Sequence, residues 1–209
     1  MTVVAAPRLT DVSPALESGD RLTAGEFRRR FHQRPDIRKA ELIEGVVYVA
    51  SPARAPQHGD PEGDPGTWLG AYRARRPELR ISHNATVRLD ADNEVQPDVC
   101  LRRITGGTSR ELDGYIHGPP ELVAEIAASS DSVDLHDKKH AYRRAGVQEY
   151  IVWRTIDQAI DWCELHEGEY RLLGTDDGGV VHSRVFPGLR LDPSHLLAGD
   201  LAAALTGLD

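Results

Sequence analysis

The strongest limit on the fold comes from the stretch ELVAEIAASSDSVDLHDKKHAYRRAGVQEYIVW, which begins at Glu121. It reads as a short apolar strand, then a helix, then a second apolar strand. Asp134 is placed to cap the start of the helix, and Gly146 is placed to end it. Along the whole chain the order is helix, hairpin, helix, strands, helix, strands, helix. This order predicts a mixed α/β domain.

Other segments have their own local signals. LTAGEFRRRF predicts a helix with Thr23 as the N-cap and Glu26 completing a capping box. KAELIEGVVYVASP predicts a hairpin that turns at Glu44 and Gly45. In ARAPQHGDPEGDPGTWLGAYRARRP, the first half is rich in Gly, Pro and Asp, so it predicts a loop with a helix only from Thr67 onward.

Three further segments complete the prediction. LRISHNATVRLDADNEVQPDVCLRRI predicts two strands about a turn at DADNE, and TGGTSRELDGYIHGPP predicts a surface loop. PSHLLAGDLAAALTGL predicts a helix at the end of the chain. Residues 1–20 show no periodicity and predict a flexible N-terminal arm, which leaves residues 21–209 as a single domain.

Composition excludes several classes of protein. No apolar run reaches the roughly 20 residues that a membrane helix needs, and no basic region precedes the short apolar run at the start. Two isolated cysteines, Cys100 and Cys163, argue against a disulfide scaffold or a zinc finger. We therefore expect a cytoplasmic protein that does not contact a membrane.

The formal net charge of -8 argues against nucleic-acid binding over the whole surface, because such binding rests largely on Lys and Arg. Local basic clusters begin at Phe27 (FRRRFHQR), Tyr72 (YRARRPELR) and Lys138 (KKHAYRR). Each cluster fits either an ordinary solvated helix surface or one face that contacts nucleic acid.

Two carboxylates stand out against apolar surroundings. Glu125 lies inside an apolar strand, and Asp98 follows Pro97 at the entrance of another, a position that suits proline. Taken singly, each could be a salt-bridge or turn residue. The two strands can lie side by side, however, and like charges so close need a cation or a proton between them. Mg²⁺ or Mn²⁺ fits, since a hard cation takes oxygen ligands and activates bound water.

A positive side chain is expected at the same point. Lys138 lies on the first turn of the helix after Glu125 and can reach back to the strand end. Tyr142 shares its helix face, whereas Lys139 points about 100° away and is predicted to be solvated. His136 and His140 are one turn apart, but without a third ligand they are better interpreted as an exposed pair than as a zinc site.

Taken together, ELIEG, QPD, ELVAEIAASS and DLHDKKHAYRRAGVQEYIVW resemble the Uma-two family of restriction-endonuclease-like proteins, within the PD-(D/E)xK nuclease superfamily. The resemblance runs from about Leu22 to Leu197. It implies a restriction-endonuclease-like core, that is, a mixed twisted sheet flanked by helices with extra antiparallel strands. It also implies a metal site and DNA as the substrate. Double-strand cleavage by one active site per chain would take a homodimer.

The resemblance also implies roles for single residues. Asp98 matches the aspartate of the PD motif, and Glu125 matches the strand glutamate. The usual superfamily lysine would fall at Ala127, but in this family it lies on the following helix and matches Lys138. Ile126 could offer its backbone carbonyl to the metal.

Three more positions match the family. Glu41 matches the glutamate of the ELIEG-type motif and either closes the site or is an exposed hairpin residue. Asp134 matches an aspartate ahead of the helix, where it would act as the cap. His58 matches a histidine at the entrance of the early helix, which GDPEGDPG is expected to interrupt.

These patterns leave three hypotheses. The first is a metal-dependent endonuclease in which Asp98 and Glu125 bind Mg²⁺ or Mn²⁺, Lys138 helps to activate water and Glu41 orients it. The second is a catalytically inactive nuclease-fold protein that acts as a nucleic-acid or protein binding module. The third is hydrolysis of another phosphoester, because a fold does not fix a substrate.

Overall fold

The structure, a computed structural model, describes residues 14–50, 60–127 and 134–208. In these ranges the elements are α1 (Ala24–His32), β1 (Ala40–Ile43), β2 (Val46–Val49), α2 (Asp60–Ala74), β3 (Leu79–His83), β4 (Val87–Arg88), β5 (Glu94–Val95), β6 (Val99–Arg103), β7 (Arg110–Leu112), β8 (Tyr115–His117), β9 (Leu122–Ala127), a π-helical turn (Asp134–Lys138), α3 (Lys139–Ala145), β10 (Glu149–Arg154), β11 (Ala159–His166), β12 (Glu169–Leu172), β13 (Val181–His182), β14 (Arg190–Leu191), α4 (Pro193–Leu197) and α5 (Leu201–Ala204).

The central sheet has the strand order β12-β11-β10-β9-β6-β3. Among the neighbouring strand pairs of this sheet, only β9 and β10 are parallel. The π-helical turn and α3 connect these two strands. The outer sheet has the order β2-β1-β5-β4-β8-β7, and β13 pairs with β14. The predicted α/β class, with a mixed sheet flanked by helices and extra antiparallel strands, is confirmed.

Different helices cover the two faces of β9. Ile126 packs in one apolar cluster with Trp68 of α2, whereas Val123 packs in another with Tyr142 of α3. Because side chains alternate along a strand, Glu125 lies on the same face as Val123. The central glutamate therefore faces α3.

The first helix and hairpin are confirmed. The Thr23 side chain accepts a hydrogen bond from the Glu26 amide at the start of α1. Glu44 and Gly45 have φ angles of 51° and 73° between β1 and β2, the left-handed geometry that a two-residue hairpin loop requires. A third apolar cluster joins α1 to this hairpin, with Phe27 at its centre.

The prediction of a loop before Thr67 is wrong, because α2 already begins at Asp60. Pro61 lies in the first turn, where the helix needs no amide donor. Gly66 within the helix has a packing role, since a Cβ at this position would lie 2.4 Å from Cε1 of His83. Local Gly and Pro content therefore misled the sequence interpretation, and packing against β3 decided the structure.

The segment that was predicted as two strands contains four. β3 and β6 pair in the central sheet, whereas β4 and β5 form a short hairpin in the outer sheet. The predicted surface loop also contains a hairpin, β7–β8, which turns at Asp113 and Gly114 with φ angles of 52° and 78°. An Asp-Gly pair is a strong hairpin signal, which the polar context of this segment hid.

The predicted C-terminal helix is two helices. Gly199 has a φ of 71°, which breaks the helix, and Asp200 caps α5 through the Ala203 amide. At the other end, Leu16 is buried and the Gly19 amide donates to the Val47 carbonyl at 2.8 Å. The division into an arm and one domain stays a prediction, and residues 1–13 lie outside the described ranges. No helix in the described part of the chain is long and apolar enough to cross a membrane.

Candidate active site

Asp98 and Glu125 lie at the same end of the β6–β9 ladder. Val99 pairs with Ala124 in the antiparallel register, and the two carboxylate residues are the next ones outward on each chain segment. Oδ2 of Asp98 accepts the Ile126 amide hydrogen at 2.8 Å. The aspartate side chain therefore continues the ladder where β6 begins, and both carboxylates are almost inaccessible to water.

Lys138 reaches Glu125 as expected. Its Nζ donates to Oε1 of Glu125 at 3.1 Å, and the Tyr142 hydroxyl donates to the same oxygen at 2.6 Å. The two donors are four residues apart and leave one helix face together. Lys138 is only 3% exposed and Glu125 1%, so the carboxylate receives its charge-assisted bonds away from bulk water.

Glu41 belongs to the same cluster. Nζ of Lys138 lies 3.1 Å from Oε1 of Glu41, which also accepts the Gln96 amide hydrogen at 2.6 Å. At 8% exposure Glu41 is buried, which excludes the alternative of an exposed hairpin residue. Lys138 thus bridges two buried carboxylates, one from each sheet.

Lys39 is a site residue that the sequence interpretation missed. Its Nζ lies 3.4 Å from Oδ1 of Asp98 and donates to Oδ1 of Asn84 at 3.2 Å. Lys39 directly precedes β1 and is two residues from Glu41, so strand alternation places both side chains on one face. The two-residue spacing from Glu41 was therefore the sequence signal that indicated a shared strand face for Lys39.

The surroundings fix the protonation of two tyrosines. Burial, together with the charges of Glu125 and Glu41, raises the pKa of Tyr142 well above its ordinary value, so its hydroxyl remains a donor. Tyr48 of β2 donates to Asp137 at 2.6 Å. That hydrogen bond is the main reason that the pKa of Tyr48 rises to about 12. The bond also ties β2 to the π-helical turn that carries Lys138.

The oxygen atoms around Asp98 are of the kind that bind a hard cation. The amide and carbonyl of one strand residue point to the same side, so the Ile126 carbonyl faces the side on which Asp98 lies. Across the described ranges, no group of three or more Asp, Glu, His or Cys side chains could hold an ion alone. Mg²⁺ does not require one, because it binds through one or two carboxylates, waters and substrate phosphates.

The remaining predicted positions lie outside this cluster. His136 and His140 are exposed, in agreement with the interpretation as a surface pair. Lys139 was predicted to be solvated, but it is half-buried and lines a pocket, because the central sheet continues beneath α3. His58 and the side chain of Asp134 lie outside the described residues.

Comparisons with known proteins agree with this architecture. A crystal structure of "a putative nuclease belonging to DUF820" from Anabaena variabilis ATCC 29413 matches with a TM-score of 0.63 and 16% sequence identity, covering 81% of this chain and 96% of that one. At that identity the likeness concerns the fold. No protein of curated function matches the chain. The model of the Uma2 family, described as "Putative restriction endonuclease", matches residues 26–194. The chain therefore belongs to the Uma2 family.

Proposed function

We propose that this protein is a metal-dependent endonuclease that hydrolyses phosphodiester bonds of DNA. The observation that carries the proposal is the bridge from Lys138 to Glu125 and Glu41, buried beside Asp98. Buried carboxylates with a lysine between them are costly to keep for stability alone, because desolvation offsets much of their attraction. Membership of the Uma2 family supports the same function.

Asp98, Glu125 and the Ile126 carbonyl would hold Mg²⁺ or Mn²⁺. When bound, such an ion supplies a water of lowered pKa and neutralises charge on the phosphate. The Ile126 amide holds Oδ2 of Asp98, and the Tyr142 hydroxyl holds Oε1 of Glu125. Both carboxylates are thus oriented by bonds within the protein before any ligand arrives.

Lys138 would place its positive charge where negative charge develops on the phosphate, or orient the attacking water. Glu41 holds the ammonium group from the outer-sheet side and is itself fixed by the Gln96 amide. Its proposed role is therefore to position Lys138 and the water beside it. Cutting both DNA strands would take two protomers, so we expect a homodimer on the substrate.

One observation favours a second candidate, a catalytically inactive nuclease-fold protein that binds nucleic acid or protein. Each of the two proposed metal ligands is already in contact with a lysine, Asp98 with Lys39 and Glu125 with Lys138. These ammonium groups supply positive charge without a metal ion. In this candidate the cluster would stabilise the fold only.

Cleavage of supercoiled plasmid DNA tests the proposal. We expect the wild type to nick or linearise the plasmid with Mg²⁺ or Mn²⁺ and to be inactive in EDTA. Asp98→Asn and Glu125→Gln should each lower the rate at least about 100-fold. Glu78→Gln is the matched control, since it removes one exposed carboxylate far from the cluster.

Two results would decide against the proposed metal-dependent cleavage at this site. Activity in EDTA, or full activity in Asp98→Asn and Glu125→Gln, would exclude the proposed site. An intact plasmid under all conditions, with DNA bound by the folded wild type, would instead support the inactive binding module. Dependence of linearisation on the square of protein concentration would support two protomers acting together.

A further inference from the structure

Consecutive lysines of the helical segment after β9 serve opposite sides of it. Lys138 reaches Glu125, whereas Lys139 lines a pocket of about 510 Å³ together with His136, His140, Arg143 and Arg154. Burial raises the pKa of the Cys163 thiol, and the nearby Lys139 ammonium opposes that rise. Because Asp161 of β11 and Tyr170 of β12 line the same pocket, the Lys139 side chain lies over the central sheet.

The pocket lies on the same face of the central sheet as the candidate active site. Val152 of β10 pairs with Glu125 on one side and with Asp161 of β11 on the other. Residues that are paired across strands share a face, and Asp161 lines the pocket. Two strand spacings are about 10 Å, so the pocket floor and Glu125 are close neighbours separated by the helical segment.

The three cationic and two anionic side chains that line the pocket leave one excess positive charge, and Arg154 is also bonded to Asp157, outside the lining, at 2.7 Å. Asp161 is bonded to Arg154 at 3.0 Å, and Glu169 is bonded to Arg143 at 2.9 Å. Lys139 forms no ion pair with a carboxylate of the described ranges. The two exposed histidines add ring nitrogens that can donate hydrogen bonds.

The placement of lysine along the chain points to the same region. The sequence contains only three lysines, Lys39, Lys138 and Lys139. Two of them contact the candidate active-site carboxylates, and the third lines the pocket. Lysine is a compact point charge that suits a phosphate group, and the rest of this acidic protein uses arginine for its positive charge.

We propose that this pocket, lined by Lys139, His136, His140 and the two arginines, binds a backbone phosphate of a nucleic-acid strand. The bound phosphate is a neighbour of the one that is cleaved at Asp98 and Glu125. This inference rests on the proposed function for the identity of the ligand. Lys139 supplies the charge, and the histidines supply hydrogen-bond donors. The pocket thereby sets the path of the strand across the helical segment.

Binding of a fluorescein-labelled oligonucleotide, measured by anisotropy in EDTA over a series of salt concentrations, tests the inference. We expect Lys139→Gln to weaken binding roughly threefold to tenfold, the loss of one charge-assisted contact. The slope of log K against log salt should fall by about 0.7 for single strands or about 0.9 for duplexes. The double variant His136→Gln/His140→Gln, which keeps Lys139, should also weaken binding. Circular dichroism checks that each variant folds.

Arg171→Gln is the charge-matched control. Arg171 is exposed on β12, where its guanidinium group is bonded to Glu167 at 3.0 Å, and it is not one of the residues that line the pocket. Equal losses in Lys139→Gln and Arg171→Gln would overturn the inference, as would a wild type that binds no oligonucleotide. Because EDTA removes free metal ions, the binding measurement does not depend on whether Asp98 and Glu125 support cleavage.

Discussion

Nζ of Lys138 lies 3.1 Å from Oε1 of Glu125, in surroundings that leave the two side chains 3% and 1% exposed respectively. The same ammonium group lies 3.1 Å from Glu41. A single lysine therefore forms ion pairs with buried carboxylates from both sheets. Its loss should affect the stability of the protein as well as its activity.

Lys138→Met keeps most of the side-chain volume but leaves two buried carboxylates without their shared cation. We expect the free energy of unfolding to fall by about 3–5 kcal/mol. Adding Glu125→Gln to this variant should restore part of the loss, because one of the unpaired charges is then removed. Denaturant unfolding of the single and double variants measures both effects. A Lys138→Met protein as stable as the wild type would show that the bridge does not form.

Lys39→Met tests the competition between lysine and metal at Asp98. The Lys39 ammonium lies 3.4 Å from Oδ1 of Asp98 and should repel a divalent cation there. We expect the variant to bind Mn²⁺ several-fold more tightly in calorimetry. Stability should change by no more than about 1 kcal/mol, since Lys39 is partly exposed. Lys139→Met, outside the cluster, should not change Mn²⁺ affinity. Weaker binding in Lys39→Met would mean that the lysine assists the metal instead.

Tyr48 gives the protein a pH dependence above pH 10. Its pKa is raised to about 12, mainly because it donates to Asp137, whereas an unfolded tyrosine titrates near pH 10. A raised pKa stabilises the fold fully below the unfolded value, and this contribution is lost as the pH rises through the folded value. The difference in unfolding free energy between wild type and Tyr48→Phe should therefore shrink from pH 10 to 12. A constant difference over that range would contradict the hydrogen bond.

Gly63→Ala tests the early start of α2. A Cβ at this position would meet nothing within 4 Å, and the residue lies inside the helix. We expect a gain of about 0.5–1 kcal/mol in unfolding free energy, because alanine favours a helix interior over glycine. Gly174→Ala, also in open space but outside any helix, is the control. If both variants behave alike, the segment is a loop, as its composition alone predicts.

Local patterns were enough to predict the centre of the candidate site. The apolar alternation around Glu125 and the helical spacing of Lys138 and Tyr142 depend only on neighbouring residues. Each of these residues is where its pattern placed it, and Asp98 follows because β6 pairs with β9. Their chemical roles remain proposals that the cleavage experiment tests.

Long-range packing decided those features of the fold and the site that local sequence patterns did not predict. Lys39 meets Asp98 only because the outer sheet brings β1 against the end of β6. Its spacing from Glu41 indicates a shared face of β1 but does not predict that approach. The β4–β5 hairpin has strands of two residues each, too short for periodicity to assign them to a sheet. In α2, contacts with the central sheet outweigh the low helix propensity of Gly and Pro.

Calorimetric titration of Mn²⁺ into the wild type, Asp98→Asn and Glu125→Gln tests the central claim most directly. We expect one site per chain in the wild type, lost in both variants while their circular dichroism spectra are unchanged. The exposed variant Glu78→Gln should bind as the wild type does. A folded wild type that binds no Mn²⁺ at millimolar concentration, or variants that bind it equally well, would contradict a metal site formed by Asp98 and Glu125.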